Sequence, residues 1–163
     1  MRMASHNSFG RIAASLSAAA LVCGVLGAGI VRADDDHDLP PGPIHDRHEL
    51  MEEVGDDAKK IGDAMKAGKP ADAAAPAERI AASVERFLQL FPAGSEHPDS
   101  RAMPEIWTKR AEFDRLGKEL ETTATAVAEA AKSGGDVKKA AGAMFKNCKA
   151  CHTDFRKPDK DDD

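Results

Sequence analysis

The stretch FKNCKACHTDF, residues 145–155, contains the side chains of this protein that are best suited to chemistry. Cys148 and Cys151 are three residues apart, and His152 follows directly. On a helix these positions are i, i+3 and i+4, so the three side chains share one face. Paired cysteines of this kind hold structural zinc, form redox-active disulfides or attach haem covalently.

The surrounding sequence favours haem attachment. A redox-active pair of the thioredoxin type lies where a strand meets a helix, whereas this pair lies within a helical pattern. Structural zinc requires four ligands, and the fourth would come from His45, His48 or His97, none of which belongs to a second recognisable pair. Covalent haem uses all three residues, because both cysteines form thioethers with its vinyl groups and the histidine binds the iron.

Residues 1–33 have the layout of a secretory signal peptide that is removed from the mature protein. A basic start and an apolar run, residues 12–31, lead to small residues at Val31 and Ala33, the two positions that a signal peptidase reads. Cys23 lies in the apolar run and would be removed with it. A retained anchor is the alternative, since about 20 apolar residues can span a bilayer. The predicted location is the periplasm.

Removal of this segment leaves an acidic protein. Residues 1–33 carry three arginines and no acid, so 20 of the 23 basic residues remain against 28 acidic ones, a net charge of −8. This balance argues against nucleic acid or anionic lipid as a partner. It would suit a basic redox partner, although solvated helix faces explain it equally well. Two cysteines remain, and in an exported protein a simple disulfide is also open to them.

The periodicity of the mature chain predicts an all-α fold, an antiparallel four-helix bundle. Apolar residues recur at steps of three and four throughout, and no stretch alternates as a strand does. The predicted parts are an acidic disordered leader at 34–43, a helical haem-binding domain at 44–157 and an acidic tail at 158–163. Asp136 is the predicted N-cap of the last helix. With one tryptophan and no tyrosine, the core has room for a porphyrin.

The chain resembles the class II cytochromes c, the cytochrome c-prime family, in which the last helix of a four-helix bundle carries the haem motif. The resemblance covers residues 44–157. Its marks are Arg47-x-x-x-Met51 on the first helix, RAMPEIW (101–107) at the start of the third and CKACHTDFRK (148–157) on the fourth. It implies one covalent haem c and an electron carrier rather than an enzyme. Its implied partners are soluble or membrane redox proteins, and the family also forms homodimers through the first two helices.

The resemblance also implies roles for individual residues. The residue four after the arginine points at the iron, and it is methionine in a low-spin branch of the family, so Met51 is the expected distal ligand to iron. Arg47 is expected to bond a haem propionate. Arg156, four after His152, resembles a basic residue beside the haem, or it is a cation favoured by the helix C-terminus. Alternatively, Met51 packs in the apolar core of the bundle and does not bind the iron.

The sequence is also compatible with two other functions. If Met51 does not bind, the chain resembles the five-coordinate cytochromes c-prime, which bind nitric oxide or carbon monoxide. His45 and His48 on the first helix are rival iron ligands. The alternative of a different class is a haem-free, metal-binding helical bundle.

Overall fold

Helices form nearly all of the structure. The computed structural model describes residue 39 and residues 41–158, so the predicted signal peptide, most of the acidic leader and most of the acidic tail lie outside it. Four long helices form the bundle and confirm the predicted fold class. The elements are α1 (Pro43–Lys66), a 3₁₀ turn (Pro70–Ala73), α2 (Ala74–Gln89), α3 (Glu105–Thr108), α4 (Arg110–Ser133) and α5 (Val137–Phe155). No helix in this part of the chain combines the length and apolar character that a membrane span needs.

The four long helices do not pack equally closely. α2 packs along α4, α4 along α5 and α1 along α2, whereas α1 and α5 approach each other at only a few positions. The side of the bundle between α1 and α5 is therefore the least closed. The core beside it is aliphatic and built mainly from Ala, Val and Ile, with Met144 fully buried. Small side chains of this kind let helices approach closely but add little bulk.

A second core cluster, at one end of the bundle, is aromatic. Phe113 lies at its centre, with its ring centre 4.9 Å from that of Phe91 and 5.3 Å from that of Phe155, both in edge-to-face geometry. Buried Ile106 and Leu116 belong to the same cluster, and Phe87 and Trp107 pack against it. Phe155 is the last residue of α5, so this cluster fixes the end of the helix that carries the cysteines.

The ends of α4 and α5 follow their sequence signals. Gly134, after α4, adopts a left-handed conformation with φ 73°, and its N–H donates to the Ala130 oxygen. The Asp136 carboxylate accepts a hydrogen bond from the Lys139 backbone N–H at 2.9 Å, so the predicted N-cap of α5 is confirmed.

The third predicted helix is interrupted at Lys109, where the sequence contains no helix-breaking residue. Lys109 leaves the helical region at φ −116° and ψ 41°, which separates the single turn α3 from α4. Trp107 Nε1 then donates to the Pro92 oxygen at 2.9 Å, on one side of the break. Arg110, on the other side, donates to the Leu88 backbone oxygen in the last turn of α2 at 2.7 Å and to the Phe91 backbone oxygen just after α2 at 2.9 Å. The break is thus accompanied by bonds that satisfy carbonyls near the C-terminus of α2.

A buried carboxylate ties α1 to α2. Asp57 accepts two hydrogen bonds from Arg79, at 2.7 and 2.8 Å, and one from Lys60 at 2.9 Å. The hydrogen bonds from Arg79 hold the pKa of Asp57 below its ordinary value, against the opposing effect of burial. This is the bidentate geometry in which arginine binds a carboxylate most strongly.

We expect Asp57→Asn to destabilise the protein in a pH-dependent way. Because the pKa of Asp57 is lower in the folded chain, its contribution is fully present above the unfolded value of about 3.9 and is lost as the pH falls through the folded pKa. Urea unfolding of the wild type and the variant at pH 7 should therefore show a clear difference in free energy, which shrinks below about pH 4. A difference that stayed constant down to pH 2 would contradict this role for the carboxylate.

Candidate functional site

Cys148 and Cys151 are free, half-buried thiols on α5. Burial raises the pKa of both, and that of Cys151 reaches about 11 because the charges of Cys148 and Asp154 add to the effect. Both thiols are therefore protonated at neutral pH. Redox-active cysteines have the opposite property, a lowered pKa, so the chemistry of this pair does not fit a thioredoxin-like function.

The cysteines and His152 do not form a ready-made metal site. Between residues 41 and 158, the one group of three ligand atoms close enough to share an ion is that of His45, Asp46 and Glu49, at the exposed start of α1. A structural zinc site would need four converging ligands. His152 is instead exposed on α5 beside its two half-buried cysteine neighbours.

Arg47 is the most strongly held polar side chain of α1. The side chain is buried, with 5% of its surface exposed. Its guanidinium donates to the Ser95 hydroxyl at 3.2 Å, to the Ser95 backbone oxygen at 2.9 Å and to the Ser100 hydroxyl at 2.9 Å. Its charged carbon also lies 4.9 Å from the ring centre of Phe91 and 5.7 Å from that of Trp107, within cation–π range. We call this set of contacts the Arg47 clamp.

The Arg47 clamp holds a positive charge without a direct carboxylate partner among the described residues. Burial lowers the pKa of Arg47, and the charge of Glu96 acts in the opposite direction. Ser95 and Ser100 accept hydrogen bonds from three of the five N–H groups of the guanidinium. The bond from Arg47 to a haem propionate stays a prediction.

The loop at 92–103 also joins the end of α5. Met103 donates its backbone N–H to the Phe155 oxygen at 3.0 Å, and Lys157 donates to the Arg101 oxygen at 2.8 Å. Lys157 Nζ adds a bond to the Ser100 oxygen at 2.8 Å. Because Ser100 is also part of the Arg47 clamp, the start of α1 and the end of α5 lie at the same end of the bundle.

This common end puts Met51 and His152 at comparable depths along two helices. Met51 is four residues beyond Arg47, about 6 Å along α1, and His152 is three residues before Phe155, the last residue of α5, about 4.5 Å along that helix. Met51 is half-buried and packs against the aliphatic core. The two residues thus belong to the helices that border the least closed side of the bundle.

The rival histidines have carboxylate neighbours on α1. His45 Nδ1 lies 3.4 Å from Glu49, and His48 Nε2 lies 3.6 Å from Glu52, each pair four residues apart. Both pairs follow the surface of the helix. Arg156, directly after α5, is half-buried; its backbone N–H donates to the His152 backbone oxygen at 3.2 Å and it forms a β-bridge with Ala102.

The residues of this region fit a planar, apolar group bonded to α5. Two neutral thiols stand one turn apart, and half-buried Met51, Ala58 and Met65 line one seam of α1. The covalent haem that the resemblance implies would be attached through Cys148 and Cys151 and would supply the bulk that the alanine-rich core lacks.

Sequence reasoning missed the partners of Arg47, which are Ser95 and Ser100. Both lie in a polar loop without periodicity, so no pattern marks them. The available signal was Arg47 itself, because a buried guanidinium needs hydrogen-bond acceptors. Asn147, next to Cys148, was also missed; it is buried and donates to the Leu116 oxygen at 3.0 Å.

The chain is similar to known proteins over most of its length. A family model described as Cytochrome C′ matches residues 42–156. Cytochrome c′ of Rhodopseudomonas palustris is 33% identical over 136 residues, which cover 81% of this chain and 89% of that protein. The structure of cytochrome c′ from Shewanella frigidimarina has a TM-score of 0.66 at 29% identity and covers 71% of this chain and 94% of that one. A variant of the Alcaligenes xylosoxidans protein with bound NO shares the fold at 21% identity, with a TM-score of 0.65, and covers 74% of this chain and all of that one.

Proposed function

Since the chain belongs to the cytochrome c′ family, whose members carry covalently attached haem c, we propose that it is an electron carrier. Cys148 and Cys151 would attach the haem, and His152 and Met51 would bind its iron. The observation that carries this assignment is the comparable depth of Met51 and His152 on helices α1 and α5, which border the least closed side of the bundle.

The chain supplies two side chains that could bind haem iron, Met51 and His152, and a rigid frame around them. Haem, when bound, supplies one-electron redox chemistry, and axial ligation by methionine and histidine raises its reduction potential. The Arg47 clamp fixes the turn of α1 that precedes Met51, and the bonds of the 92–103 loop fix the end of α5. If His152 and Met51 both bind the iron, no position would be left for a substrate, which supports a carrier rather than an enzyme.

The proposed location is the periplasm, with soluble or membrane redox proteins as partners. Support comes from the signal-peptide layout of residues 1–33 and from the motif at 148–152, since covalent haem attachment of this kind takes place outside the cytoplasm. A homodimer through α1 and α2 is the form of assembly that the family suggests. The ion pair between the buried Asp57 carboxylate and the exposed Arg79 ties those two helices to each other within one chain.

The second candidate function is the binding of a small gas at the distal position. It is favoured by one observation, that the Alcaligenes xylosoxidans protein of the same fold holds NO in its structure. In that case Met51 would fill the core beside the distal site and leave the iron five-coordinate.

An absorption spectrum of the purified, haem-loaded protein distinguishes the candidates. Electron transfer with Met51 ligation predicts a low-spin ferric spectrum with a weak long-wavelength thioether-to-iron band, and no change of the ferrous spectrum on adding carbon monoxide. A high-spin spectrum that shifts with carbon monoxide would replace this function with gas binding. A protein without a Soret band after maturation in the periplasm would overturn both.

A further inference from the structure

The acidic charge of the protein is not spread evenly over the chain. Residues 41–158 hold 19 basic and 20 acidic side chains, so the helical part is nearly neutral. The excess acid lies in the sequence on either side, at residues 34–38 and 159–163. The net charge of the whole chain therefore says little about the charge at any one helical surface.

Among the helices of the described part, α5 alone is basic. It carries four lysines and one aspartate, a net charge of +3. α1 carries seven acids against four basic residues, a net charge of −3, and the remaining helices are neutral or carry one negative charge each. The helix that bears the cysteines and His152 thus has a charge opposite to that of the protein as a whole.

Two of the lysines of α5 lie beside the haem-attachment residues. Lys149 is three residues from His152 and Lys146 is six, about 4.5 and 9 Å along the helix axis. Both are exposed, and neither makes an ion pair with another residue of the described part. Asp154 is the one acid on α5 and is exposed near Cys151. We call the surface of Lys146 and Lys149 the α5 basic face.

We propose that the α5 basic face is the surface on which a redox partner docks, and that this partner presents acidic side chains around its own redox centre. The docking role rests on the proposed electron-transfer function. A partner must approach close to the attachment residues of α5 to exchange electrons, so the charge that it meets is that of Lys146 and Lys149. Opposite charges at the point of approach raise the rate of productive encounter.

The α5 basic face favours an acidic partner, whereas the net charge of the whole sequence favours a basic one. The net charge of the mature sequence suggested a basic partner, but charges more than about 10 Å apart are largely screened at 0.1 M salt. The charges within about 10 Å of His152 therefore matter more for docking than the net charge of the whole sequence. An anionic membrane fits less well, because recognition of such membranes takes clusters of about four to eight basic residues.

The docking face is tested by matched charge reversals on one helix. The double variant K146E/K149E changes the proposed face, and the control K138E/K139E makes the same change of charge at exposed positions about 20 Å from His152 along α5. Poly-L-glutamate serves as the acidic probe, and its binding to the haem-loaded protein is measured by calorimetry at low salt. We expect K146E/K149E to bind at least tenfold more weakly and the control to stay within about twofold of the wild type. Equal weakening in both variants, or none in either, would overturn the docking face.

A second measurement uses an anionic electron acceptor, hexacyanoferrate(III). With the wild type the rate of electron transfer should fall as ionic strength rises, and with K146E/K149E it should rise. A wild-type rate that rises with ionic strength would mean that the total negative charge dominates. K146Q/K149Q should lie between the two, which separates the loss of charge from any damage caused by glutamate.

Two further results distinguish an acidic protein partner from a membrane, and the docking face from the electron-transfer function. Binding to phosphatidylglycerol vesicles that poly-L-glutamate does not displace would overturn the acidic protein partner in favour of a membrane. Failure of the electron-transfer function appears instead in the spectrum, as high-spin iron that binds carbon monoxide. Binding of poly-L-glutamate does not depend on the ligands of the iron, so the docking face and the function can fail separately.

Discussion

Replacing Met51 by leucine is expected to convert the haem-loaded protein from low-spin to high-spin in the ferric state. Leucine has a similar size and fits the same half-buried position on α1, but it has no sulfur to offer as a ligand. The sixth position is then left without a protein ligand, so the ferrous protein should also bind carbon monoxide.

The reduction potential should fall in the same variant. Axial ligands set haem potentials over a range of roughly 0.8 V, and methionine opposite histidine lies toward its upper part. We therefore expect Met51→Leu to lower the potential by an amount on the order of 0.1 V. Spectra with and without carbon monoxide, together with a redox titration, measure all three changes.

Met65→Leu is the matched control for this experiment. Met65 lies on the same helix, is half-buried and packs against the same aliphatic core as Met51. It should keep the low-spin spectrum and the potential of the wild type. If Met51→Leu also stayed low-spin, Met51 would be a core residue, and His45 and His48 would be the ligands to test next.

Replacing Arg47 by leucine is expected to destabilise the protein by about 2–4 kcal/mol. The change removes three hydrogen bonds from a charged donor, each worth about 1.5–3 kcal/mol, and two cation–π contacts, while it relieves the cost of burying the charge. Arg47→Lys should fall between the wild type and leucine, because lysine keeps the charge but not the fork of donors.

Unfolding in urea measures this loss, and hydrogen exchange locates it. The backbone amides of the loop at 92–103 should lose protection first, since Ser95 and Ser100 hold that loop to α1. Arg86→Leu, at an exposed position on α2, is the control and should change stability by less than about 0.5 kcal/mol. A large fall in reduction potential with little loss of stability would instead favour the haem propionate as the main partner of Arg47.

The bundle and its attachment helix could be predicted because their signals are local. Apolar residues at steps of three and four fix the helices, and Asp136 marks the start of α5 with a cap that needs neighbouring residues only. The motif at 148–152 is equally local. The covalent haem follows from it, and family membership agrees.

Features that depend on distant residues could not be predicted in this way. The break at Lys109 is associated with bonds to carbonyls near the end of α2, and the sequence around Lys109 contains no breaker. The partners of Arg47 lie 48 and 53 residues further along the chain. The charge of α5 was hidden in the total, because the acidic termini outweigh it.

The loop at 92–103 also bears on the order in which the chain folds. It binds Arg47 across 48 to 53 residues and Lys157 across 57 residues, so these bonds close some of the longest loops in the molecule. Contacts of such high sequence separation cost the most chain entropy and form after the local turns of the helices. The end of the bundle that holds Cys148 and Cys151 would therefore close last. After export, the folding chain would keep its thiols accessible for attachment while its helices already exist.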